Sequence, residues 1–306
     1  MKLSTINKIG EFGLIDMIKK MVKLDASVVK GIGDDAAVLN FSRDKYLLLT
    51  SDMLIEDVHF KCTMQASNIG HKALACSVSD IAAMGGIPKN AVISLGLPTS
   101  LEISFVKDLY KGIANIAKKF KINIVGGDTN RAEKIIIDVT LLGEVEKKNL
   151  VLRSTAKTGD LIFITGSLEE TLKTGKHLTF KPRLKESRFL VKNYRINSMI
   201  DISDGLAQDL GHILNESHKG AVIYQRAILK NKDTSLKEAL YGGENYELLF
   251  TLSQSQARRL LRDKAKGKIK FPISEIGSIT KSKNKLIFID ADNKEKTLKL
   301  RGFRHF

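Results

Sequence analysis

Gly31-Ile32-Gly33-Asp34-Asp35-Ala36-Ala37-Val38-Leu39 is the stretch on which the fold turns. Its first six residues match the Gly-x-Gly-x-x-Ala pattern of dinucleotide-binding βαβ units. That pattern needs bare N–H groups facing a pyrophosphate, and a helix directly afterwards. Here two aspartates stand where the anion would lie. The next residues form no helix but an apolar strand, Ala37-Val38-Leu39, closing a short hairpin with Tyr46-Leu47-Leu48-Leu49-Thr50. The dinucleotide reading fails. Residues 31–36 are then either a turn in which an aspartate caps backbone amides or part of a cation site.

Working outward, Leu14, Ile15, Ile18, Met21 and Val22 keep a helical spacing and predict an amphipathic helix packed on the body. A helix is expected from Ile69 to Met84, ended by Gly85-Gly86 and Pro88. Ala91–Leu97 reads as a strand. Leu101–Phe120 reads as a long helix whose buried stripe is Phe105, Leu109, Ile113, Ile116 and Ala117. Ile122–Val125 and Ile135–Gly143 add strands. A second unit opens near Arg153, with strands at Asp160–Thr165, Tyr246–Leu252, Ile273–Ile279 and Leu286–Ile289, and helices at Leu206–Leu214 and Gln254–Lys264. At 306 residues the size favours two domains. Strands and helices interleave without the strict alternation of a doubly wound sheet. The expected class is α+β, with two α/β-type domains over 1–150 and 151–306.

Aspartates recur beside glycines and small polar residues: Gly33-Asp34-Asp35, Thr50-Ser51-Asp52, Ser79-Asp80-Ile81, Gly126-Gly127-Asp128-Thr129 and Asp201-Ile202-Ser203-Asp204-Gly205. The chain carries a net charge of +16, so these acids are no by-product of an acidic composition. Two carboxylates ~4 Å apart repel by about 4 kcal/mol at an effective dielectric near 20. Gathered together they need a cation, and hard divalent ions such as Mg²⁺ take oxygen ligands together with substrate phosphates. Asp80 is the sharpest case, because an acid late in a helix opposes the macrodipole and its neighbours are small and apolar. The paired glycines before Asp128 would let a ligand approach the backbone; the plainer reading is a β-turn. Ser203 or Asp204 can cap the helix that comes next while the start of that helix faces phosphate.

Other classes are excluded or disfavoured. No run of apolar residues is long enough for a membrane span, and the first residues lack the apolar stretch of a secretory signal. Cys62 and Cys76 fit neither a disulfide framework nor a metal motif and read as reduced core thiols in a cytoplasmic protein. A pI near 9.6 raises nucleic-acid binding. Yet the lysines, densest at Lys264–Lys268 and Lys281–Lys299, are spread without any recognition motif, so they read as solvated faces and no nucleic-acid partner is expected. His59 and His71 lack zinc-hydrolase spacing, and no P-loop occurs.

The motifs in order are Gly10-Glu11-Phe12-Gly13, Gly31-Ile32-Gly33-Asp34-Asp35, Thr50-Ser51-Asp52, His59-Phe60, Lys72-Ala73-Leu74-Ala75 running on to Ser79-Asp80, Gly126-Gly127-Asp128-Thr129, Arg153-Ser154, Asp201-Ile202-Ser203-Asp204-Gly205, Gly242-Gly243-Glu244-Asn245-Tyr246-Glu247 and Gly302-Phe303. In this order the chain resembles, from end to end, the thiamine-monophosphate kinase family. Its wider superfamily includes aminoimidazole ribonucleotide synthetase, selenophosphate synthetase and hydrogenase maturation factor HypE. The resemblance implies ATP-dependent phosphorylation of thiamine monophosphate to thiamine diphosphate with several Mg²⁺ ions. It also implies a homodimer sharing a β-barrel between mixed or antiparallel N-terminal sheets, with the C-terminal domain completing the active site. Carried over, Asp35, Thr50, Ser51, Asp52, Asp80, Asp128, Asp201 and Asp204 are metal ligands or adjoin them. Among these, Asp35, Asp128 and Asp204 stand closest to the chemistry. Gly127, Asp128, Arg153, Ser203 and Tyr110 serve ATP; His59, Glu244 and Phe303 serve thiamine phosphate.

Two departures stand out. The family commonly has a glycine-rich turn and a long helix where this chain has only Gly166–Lys176, and it commonly has aspartate where this chain has Asn245. Two competing readings are a sister activity on another phosphorylated or carboxylated substrate, and a non-catalytic nucleotide- or nucleic-acid-binding protein.

Overall fold

The computed structural model describes residues 5–306. In chain order the elements of the first half are α1 (Ile6–Met21), β1 (Val28–Lys30), β2 (Ala37–Asn40), β3 (Lys45–Ile55), α2 (Ala66–Ala83), β4 (Ile87–Leu97), α3 (Ile103–Phe120), β5 (Asn123–Gly126), β6 (Thr129–Arg131) and β7 (Ile136–Glu146). Those of the second half are β8 (Leu161–Thr165), α4 (Thr171–Thr174), α5 (Leu184–Asn193), β9 (Ile196–Asp201), α6 (Leu206–Ser217), β10 (Gly220–Tyr224), α7 (Leu236–Tyr241), β11 (Leu248–Leu252), α8 (Gln254–Ala265), β12 (Ile273–Thr280), β13 (Leu286–Ile289) and β14 (Glu295–Leu298). The class is α+β, with one mixed sheet in each half.

The first sheet runs β1-β2-β3-β7-β4-β5, with β6 also beside β4. It is antiparallel except where β5 and β6 join β4. The expected hairpin pairs Ala37 with Leu49 and Asn40 with Tyr46. Strand alternation sets two faces. Leu48, Thr50 and Leu54 of β3 and Ile137, Val139 and Leu141 of β7 point inward, against α2. Leu49, Met53, Val92 and Val125 point out and are left exposed. Outside α2 lies α3, whose Leu109, Ile113, Ile116 and Ala117 are buried as their spacing predicts, while Phe105 of the same stripe is only partly buried. Each such Leu or Ile side chain stabilises by roughly 1.5–3 kcal/mol.

The second sheet runs β14-β13-β10-β12-β8-β11-β9, antiparallel throughout except for β10 with β13. Its core of Ile162, Ile164, Leu210, Ile213 and Leu249 lies under α6. The halves are not separate bodies in packing. Leu178, Phe180, Leu184 and Tyr246 join the core of the first half, and Ala83 joins that of the second.

Three expectations are corrected. Helix α1 forms, kinked at Gly10 (φ 65°), but buries none of its residues; Ile15 and Ile18 stay exposed. Cys62 is exposed, and only Cys76 is a core thiol. Neither Ser203 nor Asp204 caps α6: its N-cap is Gly205, and Asp209 accepts hydrogen bonds from the Asp204 and Gly205 amides at 3.1 and 3.0 Å. The lysines at 264, 266, 268, 281, 283 and 285 are exposed, as solvated faces should be.

Candidate active site

Asp35, Asp80 and Asp201 converge, with one carboxylate oxygen of each within 4.8 Å of the others. Asp35 comes from the turn before β2, Asp80 from the last turn of α2 and Asp201 from the end of β9, so both halves contribute. Hydroxyls orient the acids: Thr50 Oγ1 donates to Asp80 Oδ2 at 2.5 Å, Ser77 Oγ to Asp52 Oδ2 at 2.6 Å and Ser79 Oγ to Asp201 Oδ2 at 2.5 Å. Arg153 Nη2 donates to Asp35 Oδ1 at 2.7 Å, and the Arg153 amide donates to Asp34 at 3.2 Å. The turn at 31–36 is thus amide-capping and part of the cluster at once.

The electrostatics report crowding. Burial, then the Asp35 charge, pushes Asp201 up to about 8 and Asp34 up to about 7. Burial pushes Asp52 up to about 6 against the Ser77 hydrogen bond. Burial and then Asp52 drive Asp80 well above the ordinary carboxylate range, and among the described residues no cation pairs with it. Arg153 itself is held protonated by Asp35 despite burial. An all-oxygen donor set this short of positive charge fits a hard divalent cation.

Beside the cluster is a cavity of about 400 Å³ lined by Asp52, His59, Ser203, Asp204, Glu244 and Phe303. Burial and the Lys72 charge push His59 down to about 4, so its imidazole is neutral. The Ile55 amide donates to Nδ1 at 3.0 Å, which leaves the proton on Nε2. Phe303 belongs to a tail folded back on the site: its amide donates to the Asp204 carbonyl at 3.0 Å, and its ring meets His305 edge-on at 5.0 Å. A cavity of about 590 Å³ on the far side of Asp34 and Arg153 separates α1 from α6.

Not every expected residue joins the cluster. Asp128 is exposed and bonded to its own loop, accepting from Thr129 N at 2.8 Å and Asn130 Nδ2 at 2.6 Å. It lies just past β5, three strands beyond β3 in the order β3-β7-β4-β5, or about 14 Å from Asp52 at ~4.8 Å per strand. Gly127 is a packing requirement, because a Cβ there would stand 1.8 Å from the Ile93 carbonyl oxygen. Ser51 lies on the exposed face of β3, bonded to Asp138 and Thr140. Tyr110 is 38% exposed on α3, outside the cavity lining. Asp204 is held by Gln208 Nε2 at 2.9 Å and sits with Asp209 and His212 in a second group of close ligand atoms.

Three residues without a sequence-derived role matter here: Lys72, Asp209 and Asn245. Lys72 is fully buried and paired with Glu244. Its signal was a lysine set among Ala73, Leu74 and Ala75. Asp209, one turn into α6, caps the loop that carries Asp204.

Residues 33–145 match the family described as AIR synthase related protein, N-terminal domain, and residues 157–289 match its C-terminal domain. The chain is 34% identical to the thiamine-monophosphate kinase of Bacillus subtilis, over 97% of this chain and 99% of that one. It is similar across the full length of both chains to a solved structure of AaThiL complexed with AMPPCP and TMP, with 31% identity and a TM-score of 0.87. The crystal structure of thiamine monophosphate kinase from Aquifex aeolicus is similar at 30% identity and a TM-score of 0.77, over 93% of this chain and 97% of that one. A two-sheet fold of the AIR synthase related class, with acids from both halves meeting at one cavity, is the architecture in hand. Within that class the chain belongs to the thiamine-monophosphate kinase family.

Proposed function

We propose that this protein transfers the γ-phosphoryl group of ATP to thiamine monophosphate, giving thiamine diphosphate. The observation that carries the reading is the meeting of Asp35, Asp80 and Asp201 next to a cavity lined by His59, Glu244 and Phe303. The family match and the AMPPCP and TMP complex of AaThiL support the choice of substrates.

The acceptor is already an anionic phosphate, so no general base is required; the barrier is repulsion between two polyanions. Asp35, Asp80, Asp201, Asp52 and Thr50 are the groups that would hold Mg²⁺. When bound, the ions neutralise phosphate charge and help keep the attacking oxygen in line. Neutral His59 offers its Nε2 proton to the acceptor phosphate. Phe303 supplies a ring for stacking on the thiamine. Ser203, in the loop before α6, and Arg153, from the edge of the cluster, serve the ATP phosphates.

Asp128, Gly127 and Tyr110 are assigned to the ATP side of a site completed by a second copy of the chain. The sheet order separates Gly127 and Asp128 from their own cluster, Tyr110 stands on α3 outside the cavity lining, and the apolar face of Leu49, Met53, Val92 and Val125 lies uncovered. A homodimer that closes the two sheets into a barrel would cover that face. We further infer a cytoplasmic setting, supported by two free cysteines. Incubation with ATP, Mg²⁺ and thiamine monophosphate should yield thiamine diphosphate. A folded sample that gives none across varied divalent metals would sink the reading.

A further inference from the structure

Lys72 is a lysine with no exposed surface, on the inward face of α2. Its Nζ donates to the His59 carbonyl oxygen at 2.9 Å and forms an ion pair with Glu244 Oε1. The second carboxylate oxygen of Glu244, Oε2, is buried and has no hydrogen-bond partner among the described residues, although the residue lines the substrate cavity. A buried acceptor left unmatched in the free protein costs free energy, and a donor arriving with a ligand recovers it.

The segment carrying Glu244 is itself strained. Glu244 and Tyr246 both sit at positive φ, 60° and 52°, where side chains other than glycine are disfavoured. Helix α2 holds this segment at two points one turn apart: Lys72 on Glu244, and Cys76 Sγ donating to the Tyr246 hydroxyl at 3.1 Å. Tyr246 is further fixed by stacking on Phe180, with centroids 3.8 Å apart. The Glu244 amide donates to the Ser203 carbonyl at 2.6 Å.

We infer that Lys72 is a positioning residue for the acceptor substrate: it fixes Glu244 with one oxygen spent on the lysine and the other aimed at an N–H donor of the ligand's heterocycle. By gripping the His59 carbonyl as well, it sets the spacing between the residue that meets the ring and the residue that meets the phosphate. The inference rests on the kinase reading above and deepens it.

The test measures thiamine monophosphate binding by calorimetry, together with KM and kcat, in the unaltered protein and in Lys72→Met, Lys72→Gln, Glu244→Gln and Lys72→Met/Glu244→Gln. Lys72→Met should weaken thiamine monophosphate binding at least tenfold and raise its KM in step, with the KM for ATP within twofold. Lys72→Gln, which keeps a donor, should recover part of the loss. The double variant should bind no more weakly than the worse single variant, because Lys72 acts through Glu244. Folded Lys72 variants that bind like the unaltered protein, losses that simply multiply in the double variant, or failure of both Lys72 variants to fold would each overturn the inference. If the unaltered protein does not bind thiamine monophosphate, the kinase reading falls first and takes the inference with it.

Discussion

Asp80 is buried among acids, and the charges of Asp52, Asp201 and Asp35 all bear on it. Burial and neighbouring acids favour its protonated form, and among the described residues a hydroxyl from Thr50 is its one side-chain partner. Asp80→Asn keeps that hydrogen bond and removes a repelled charge. Turnover should therefore fall by at least ~100-fold, while the metal-free protein melts no lower than before. Near-normal turnover in that variant would remove Asp80 from the ligand set. His59→Ala should raise the KM for thiamine monophosphate at least ~10-fold and leave that for ATP nearly unchanged; an equal loss on both substrates would misplace the residue. Most of this cluster was legible in the sequence because its acids recur in short motifs with glycines and small polar residues, despite a net charge of +16. The pairings of Lys72 and Asp209 were not legible. Their partners, Glu244 and the amides of Asp204 and Gly205, are chosen by tertiary packing or by a turn whose conformation the residue types do not dictate.

Among the elements, segment 166–176 shows what Asn245 does. Its Oδ1 accepts from the Glu169 amide at 2.9 Å, and its Nδ2 faces the carbonyls of Glu169, Gly242 and Gly243 at 3.3–3.4 Å. Thr171 of α4 donates to the Gly243 carbonyl at 3.1 Å, and Leu172, 70% exposed, reaches the rim of the substrate cavity. An aspartate at 245 would set a carboxylate against three carbonyl oxygens. Asn245→Asp should destabilise by about 1–3 kcal/mol, seen as a lower urea midpoint; an unchanged midpoint would contradict these contacts. The long periodic elements, α3 and the hairpin of β2 and β3, were readable from spacing. Strand β9 escaped notice because Ser198, Met199, Ile200 and Asp201 are all buried, which erases the alternation that marks a half-exposed strand.

For the molecule as a whole, the crowded acids make stability depend on pH and metal together. Asp201, Asp34 and Asp52 have folded-state values raised to about 8, 7 and 6 from an ordinary 3.8. Their contribution is therefore fully present below pH ~3.8 and is lost as pH rises through 6 to 8, because the unfolded chain sheds these protons first. Divalent metal should reverse that loss. The rise in Tm on adding Mg²⁺ should be larger at pH 8 than at pH 5, and a rise that does not grow with pH would count against the cluster as a metal site. The exposed sheet face makes a second prediction. On the proposed shared-site homodimer, Asp80→Asn and Asp128→Asn, each inactive alone, should regain about a quarter of normal activity when co-expressed, because a mixed dimer would rebuild one intact site. No recovery in verified mixed dimers would return Asp128 to its own chain's site.

Helix α2 binds both halves at once. Lys72, Ser77 and Asp80 reach His59, Asp52 and Thr50, while Lys72, Cys76 and Ser79 reach Glu244, Tyr246 and Asp201. A clamshell motion of the two halves would have to sever these links together. The segment from Phe303 to His305 is held by fewer contacts: the Phe303 amide on the Asp204 carbonyl, Gln208 Nε2 on the Phe303 carbonyl and the His305 amide on Glu11. Passage beneath this segment would cost those three bonds, where parting the halves would cost every link that α2 makes.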